Sequence, residues 1–121
     1  MATYEDAAKE MKDIFGYKAF DYPKPLRLIK RLLNMSMPSD GLVLDFFAGT
    51  GTTGHAVIEL NSEDQGNRQF ICVQQKEKPL TDSLAHSNGV QCISELCHQR
   101  LKWALSQHSD KNCIQVGYIS N

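Results

Sequence analysis

Apolar residues recur along this chain at two spacings, and the change from one to the other marks out the elements. Ala7, Ala8, Met11 and Ile14 follow one another at helical spacing. Thr3 and Asp6 form a capping-box-like start in front of them and Gly16 a stop, which predicts a first helix packed as a flap or brace. Tyr22 to Pro25 reads as extended, because each proline disfavours helix in the residue before it. Leu26, Ile29 and Leu33 then mark one face of a second helix, with Pro25 suited to its first turn.

Beyond Pro38 the pattern changes. Leu42 to Phe46 is a short apolar strand, Thr52 to Leu60 a helix, Asn61 to Asn67 a polar loop and Gln69 to Gln74 a second strand. A long helix is predicted from Val90 to Gln107, with Ile93, Leu96, Cys97, Leu101, Ala104 and Leu105 on its apolar side. Cys113 to Ile119 reads as a third strand. Strands alternating with helices call for a parallel, right-handed α/β sheet.

The chemistry concentrates where the first strand meets its helix. Gly49 and Gly51 allow a tight turn and a close backbone approach to a ligand, and the following helix offers it unpaired amides. Three cofactor classes use such a turn. A phosphate-binding loop is excluded, since His55 and Ala56 stand where lysine and a hydroxyl residue are needed. The dinucleotide pattern GxGxxG is matched by Gly49, Gly51 and Gly54, with Glu77 near the distance of a ribose-binding carboxylate. Asp45 favours the third class. S-adenosylmethionine (AdoMet) carries an ammonium and a sulfonium, which a carboxylate at the strand end attracts, whereas it would repel a pyrophosphate. A purely local role for Asp45, capping the turn, is the alternative.

The run from Asp45 to Val57, Asp-Phe-Phe-Ala-Gly-Thr-Gly-Thr-Thr-Gly-His-Ala-Val, precedes Glu59-Leu60-Asn61 and then the segment from Gly66 to Gln74. Together these resemble the AdoMet-binding region of β-class DNA adenine methyltransferases, above all the modification (Mod) subunit of type III restriction-modification systems. Phe20 to Pro25 and the helix after it resemble that family's motif X, and the likeness extends from about Thr3 to Leu105.

The resemblance implies a partial Rossmann-like AdoMet-dependent methyltransferase fold, about three parallel strands flanked by helices, in a single partial domain. Residues 1–37 would be the motif X helices and 38–121 the AdoMet-binding βαβαβ half. It further implies that Asp45, Phe46, Ala48, Gly49, Thr50, Gly51 and Thr52 line the methionine end of the cofactor, Asp45 near the ammonium and Thr52 donating a hydroxyl hydrogen bond. Phe20, Tyr22, Lys24 and Pro25 would close the pocket over the carboxylate, with Lys24 pairing it, and Gln74 or Glu77 would reach the ribose. The family's usual Val-Gln-Leu-Pro-Glu reads here Val73-Gln74-Gln75-Lys76-Glu77, and loss of the proline could shift Glu77.

Such enzymes act through a tetrapeptide of the form [Asp/Asn/Ser]-Pro-Pro-[Tyr/Phe/Trp]. The prolines here are Pro23, Pro25, Pro38 and Pro79, so no two are adjacent and the chain carries no such catalytic motif. In the β-class order that motif and the target-recognition region precede motif X, so the chain resembles the carboxy-terminal, cofactor-binding piece and is expected to be inactive alone. The strand that normally flanks strand one in this fold is then missing. Its exposed edge is expected to meet a second copy or a complementing amino-terminal chain. Two other readings stay open, a dinucleotide-binding module and a self-associating remnant that binds nothing tightly.

Composition narrows the setting. Hydrophobic residues make up 41% and charged residues 22% of the 121, ordinary for one folded domain and unlike a disordered chain. The formal net charge of −1 lacks the basic excess of a free-standing DNA binder, so DNA is expected only in the assembled enzyme. Lys24, Arg27, Lys30 and Arg31 cluster at and just before the second helix, where they could touch phosphate or form a solvated face. No apolar run approaches the ~20 residues that span a bilayer, and the start does not resemble a signal peptide, which leaves the cytoplasm. Cys72, Cys92, Cys97 and Cys113 form no CxxC pair and read as reduced thiols, with no metal site expected. His55, His86, His98 and His108 have no evident acid-base partner.

Overall fold

The computed structural model describes residues 3–20, 23–108 and 115–117. The elements among them are α1 (Tyr4–Phe15), α2 (Leu26–Ser36), β1 (Leu42–Asp45), α3 (Thr52–Asp64), β2 (Gln69–Cys72), α4 (Leu84–Ser87) and α5 (Ile93–Ser106). Helix α3 is central. It packs against α2, β2 and α5, which is why residues on nearly every side of it, from Thr52 to Asn61, are buried.

Helix α1 begins with a full capping box: Asp6 N–H donates to the Thr3 hydroxyl at 3.3 Å and Thr3 N–H to the Asp6 carboxylate at 2.8 Å. It ends at Gly16, whose φ of 85° is the left-handed cap glycine adopts readily. Ala7 and Met11 are fully buried, and the helix braces α5. Pro25, at the N-cap of α2, has no side chain able to cap. Glu10 of α1 does this instead, its carboxylate accepting from Leu26 N–H at 3.0 and 3.3 Å.

Lys30, expected in a solvated basic face, is instead turned against α3, where it pairs with Glu59 at 3.0 Å and with Glu63. Arg27 and Arg31 are exposed. On the outer side of α2, Leu28, Leu32 and Met35 form an exposed apolar stripe.

Strands β1 and β2 pair in parallel, with Val43 opposite Phe70 and Asp45 opposite Cys72. These four residues share the face covered by α3 and α5, where Phe70 and Cys72 join a core of Ala48, Ile58, Cys97, Leu101 and Ala104. The other face, carrying Leu42, Leu44 and Ile71, is about half exposed to water. Among the described residues the sheet has two strands, not three. The expected third, Cys113 to Ile119, falls mostly outside the described residues, and Gln115–Gly117 within it are not in a strand.

Four boundaries differ from the sequence reading. Helix α3 continues through Asn61 to Asp64, which had read as loop, because those polar side chains are tied to Arg68. Asn61 exchanges two hydrogen bonds with the Arg68 backbone, at 2.9 and 3.0 Å, and Asp64 pairs with its guanidinium at 2.7 Å. The long last helix starts three residues later than expected, at Ile93, once the Ser83-capped turn α4 has taken up the chain. Both strands are shorter than expected, ending at Asp45 and Cys72, where the chain turns into the loops beside the candidate site.

No helix among the described residues is long and apolar enough to cross a membrane. Cys72, Cys92 and Cys97 are free thiols, Cys97 buried and the other two half-buried; Cys113 lies outside the described residues.

The contact of α3 with its neighbours depends on Gly54. A Cβ there would lie 2.6 Å from Leu101 Cδ2 and 2.9 Å from Phe70 Cε2, closer than side chains tolerate. Gly54→Ala is therefore expected to destabilise the chain by about 1–3 kcal/mol through overpacking, read as a lower urea midpoint with an unchanged slope.

Candidate functional site

The turn after β1 is built from backbone bonds that hold it open. Ala48 N–H reaches back to the Val73 carbonyl at 3.1 Å, Gly51 N–H closes on the Ala48 carbonyl at 2.8 Å, and Gly51 serves as the N-cap of α3. Gly49 and Gly51 have φ values of 54° and 85°, the left-handed region that favours glycine. At Gly51 a side chain would also meet Cys97 Sγ at 3.0 Å, whereas the space beside Gly49 is open, so there the backbone angle alone is the constraint.

Asp45 locks this turn. Its Oδ1 accepts from Phe47 N–H at 2.9 Å and its Oδ2 from the Thr53 hydroxyl at 2.7 Å. Gln74 locks it from β2, its carbonyl oxygen accepting from Gly49 N–H at 2.8 Å and its amide pointing towards Glu77 Oε2 at 3.5 Å. The Gln74 amide oxygen is thus bound to the loop.

A cavity of about 230 Å³ lies against the turn, lined by Phe20, Lys24, Asp45, Phe46, Ala48, Gly49, Thr50, Thr52, Gln74 and Glu77, with Pro23, Phe47, Thr53, Gln75 and Ile93. Ten of the residues singled out from sequence therefore border one space. Gly51 and Pro25, the N-caps of α3 and α2, are not among the lining residues, and Tyr22 lies outside the described residues. The volume falls below the ~300–1,000 Å³ of pockets that enclose a small ligand. Phe46 and Phe47 at its rim are 61% and 85% exposed, as if one wall were absent.

These residues fit a methyl donor's amino-acid end. An acceptor carboxylate, tight glycine turns, a helix N-terminus and the Lys24 ammonium surround one concavity. Among the described residues no group of three or more His, Cys, Asp or Glu side chains is arranged to hold a metal ion.

Residues 2–85 match the sequence model of a family described as DNA methylase. The chain belongs to this DNA methylase family. Among its relatives, the type III restriction-modification enzyme StyLTI Mod subunit of Salmonella typhimurium is 41% identical over 101 residues, covering 84% of this chain and 16% of the relative. The EcoPI Mod subunit of Escherichia phage P1 is 40% identical over 114 residues, 93% of this chain and 18% of that protein. The type II methyltransferase M.KpnI of Klebsiella pneumoniae is 39% identical over 106 residues, 88% of this chain and 25% of the relative. The chain thus spans a quarter or less of these proteins. The likeness to Mod subunits read from motifs I and X holds over most of the chain.

Beneath the loop of this methylase-family chain lies a charged cluster that the sequence reading missed. Arg100 of α5 is fully buried. Its Nε donates to His55 Nδ1 at 2.9 Å, and its Nη1 to the Thr52 and Thr50 hydroxyls at 3.0 and 3.3 Å. Its Nη2 has no hydrogen-bond partner and stands 3.8 Å from Glu10. Burial lowers the Arg100 pKa to about 10, which still leaves it charged at neutral pH. Two signals for this cluster were present in the sequence: an arginine inside the apolar stripe of α5, and Glu59 four residues after His55.

The cluster fixes the His55 tautomer. A guanidinium offers only donors, so Nδ1 must accept and the proton resides on Nε2, which faces Glu59 at 3.4 Å. Burial accordingly holds the His55 pKa below its usual value, and the hydrogen bond from His55, helped by Lys30, holds the Glu59 carboxyl down to about 2.

Both groups have folded-state pKa values depressed below the unfolded ones, so both contribute stability that is present at neutral pH and lost on acidification. Stability is expected to begin falling below about pH 6.5, the unfolded histidine value, and to fall further between about 4.5 and 2 as Glu59 protonates. Glu10, raised by burial, opposes this in part. Urea midpoints between pH 7 and 3 check the sign: His55→Gln should flatten the first decline and Glu59→Gln the second.

Proposed function

We propose that this chain is the AdoMet-binding part of a DNA adenine N6-methyltransferase of the type III modification kind, and that it orients the methyl donor for a catalytic motif carried elsewhere. The observation that carries this reading is the single cavity bordered by Asp45, the glycine turn, Thr52 and the motif X residues Phe20 and Lys24. Membership of the DNA methylase family and the likeness to Mod subunits support it.

In the assembled enzyme the target adenine would be flipped from the duplex, its amine held by the [Asp/Asn/Ser]-Pro-Pro-[Tyr/Phe/Trp] tetrapeptide, and the methyl group passed in line from sulfur to nitrogen. AdoMet supplies the activated methyl. This chain's residues bind and orient its carrier: Asp45 attracts the ammonium, Lys24 pairs the carboxylate, and the loop amides and Thr52 hydroxyl fix the methionine end. DNA is met only in that assembly, in the cytoplasm, where both substrates are at hand.

The partner belongs to the same proposal. Among the described residues strand β1 is paired along one edge, the sheet face bearing Leu42, Leu44 and Ile71 is about half exposed, and Phe46 and Phe47, which line the cavity, are exposed. A parallel sheet is stable when both faces are covered. A complementing methyltransferase segment, or a second copy, would add a strand beside β1 and a layer over these side chains.

Calorimetric titration with AdoMet, its demethylated product and NAD tests the reading. Saturable binding of AdoMet or product is expected, weakened at least about tenfold in Asp45→Asn, which keeps an acceptor for Phe47 N–H but removes the charge. Binding of NAD alone would move the assignment to a dinucleotide module. Incorporation of labelled methyl groups into DNA by the purified chain is expected to be nil.

Sedimentation checks the partner. Leu44→Lys should reduce self-association or pairing with a complementing chain, while changing the stability of the free chain by no more than about 0.5 kcal/mol, because Leu44 is half exposed. An association unaffected by this change would argue against the β1 face.

A further inference from the structure

The buried guanidinium of Arg100 is costly unless something requires it. Removing a charge from water is offset only where hydrogen bonds replace its solvation, and here one of its nitrogens makes no hydrogen bond among the described residues and has only Glu10, 3.8 Å away. An apolar side chain would fit the stripe of Ile93, Leu96, Cys97, Leu101 and Ala104 in which it sits. The three bonds Arg100 does make are all directed at the glycine loop and the first turn of α3: Thr50, Thr52 and His55.

We propose that Arg100 is a positioning residue for the ligand's carboxylate, acting through Thr50 and Thr52. Its Nη1 donates to both hydroxyl oxygens, so neither hydroxyl can direct its hydrogen at Arg100, which has no acceptor. Among the described residues no protein acceptor takes either hydrogen. Both threonines border the cavity, so their hydroxyl hydrogens are available to a ligand acceptor there. The guanidinium polarises both O–H bonds in the same sense. Lys24, on the same cavity, would add a cation for that carboxylate, as Asp45 would add an anion for the ammonium.

His55 holds the geometry. By accepting at Nδ1 it fixes the rotation of the guanidinium about its Nε, and Glu59 and Lys30 hold His55 in turn. Arg100 touches no ligand itself. Its contribution is to discriminate between ligands with and without a carboxylate at that end.

The inference rests on the AdoMet reading, and its test separates the two. Binding of AdoMet and of decarboxylated S-adenosylmethionine is measured by calorimetry on the full chain and on Arg100→Met, Arg100→Lys and Thr52→Val. The wild-type chain should prefer AdoMet by about tenfold or more. Arg100→Met and Thr52→Val should bring that ratio towards one while leaving affinity for the decarboxylated ligand within about twofold, and Arg100→Lys should restore part of the preference.

Equal loss of both ligands in Arg100→Met and an undiminished preference in Thr52→Val would make Arg100 a scaffold residue and overturn the inference. If Arg100→Met does not fold, Arg100→Lys decides, since it keeps a buried cation but not the guanidinium fork: an undiminished preference there overturns the inference. Equal wild-type binding of both ligands would overturn the inference and leave the cofactor reading intact. Binding of neither ligand would overturn both.

Discussion

The requirement to solvate the Arg100 guanidinium inside the protein organises this structure. A charge with no exposure must be surrounded by acceptors, and those acceptors come from α1, α3 and the glycine loop, elements far apart in sequence. Glu10 is drawn in from α1 and at the same time caps α2, so one carboxylate serves a charge on one side and an orphan amide on the other. His55 passes the constraint to Glu59, and Glu59 to Lys30 on α2. Helices α1, α2, α3 and α5 are thereby tied through a continuous polar chain as well as through apolar contact. Such a network specifies one arrangement more sharply than an apolar core does, because every displaced member leaves a buried polar atom unpaired.

The same arrangement accounts for the asymmetry of the sheet. Everything that stabilises β1 and β2 lies on one face, where Gly54 lets α3 approach and Phe70 and Cys72 enter the core. Among the described residues nothing comparable covers Leu42, Leu44 and Ile71. The polar network needs only the helices to close, and the second face of the sheet takes no part in it. The cavity inherits this one-sidedness: its floor is fixed by buried hydrogen bonds, and its rim is two exposed phenylalanines.

Much of this was legible in the sequence because its cause is local. The capping box at Thr3 and Asp6, the left-handed glycines at positions 16, 49 and 51, the short strand ending at Asp45 and the apolar stripe of α5 each depend on residues a few positions apart. What escaped depends on contacts across the chain. Lys30 reads as one more cation on a helix face until Glu59 and Glu63 are brought beside it, and Asn61 to Asp64 read as loop until Arg68 folds back on them. Arg100 was passed over because periodicity weighs apolar positions and has no term for a charge set among them. The site itself was legible as a list of bordering residues but not as a set of bonds: Gln74, assigned to a ligand, spends its amide oxygen on Gly49.

Asp45 shows why a structural and a functional reading of one residue need not compete. The local alternative, that it caps the turn, is realised in its bonds to Phe47 and Thr53. An ionised carboxylate has roughly four acceptor sites, and these bonds occupy one on each oxygen. The remainder can face the cavity that Asp45 borders. Rigidity gained from the two occupied sites then benefits the free ones, because a carboxylate already held in place loses little freedom when a cation arrives. The same logic extends around the turn, where Gln74 fixes Gly49 from one side and Arg100 fixes Thr50 and Thr52 from beneath. A loop braced in this way needs little rearrangement to accept a ligand.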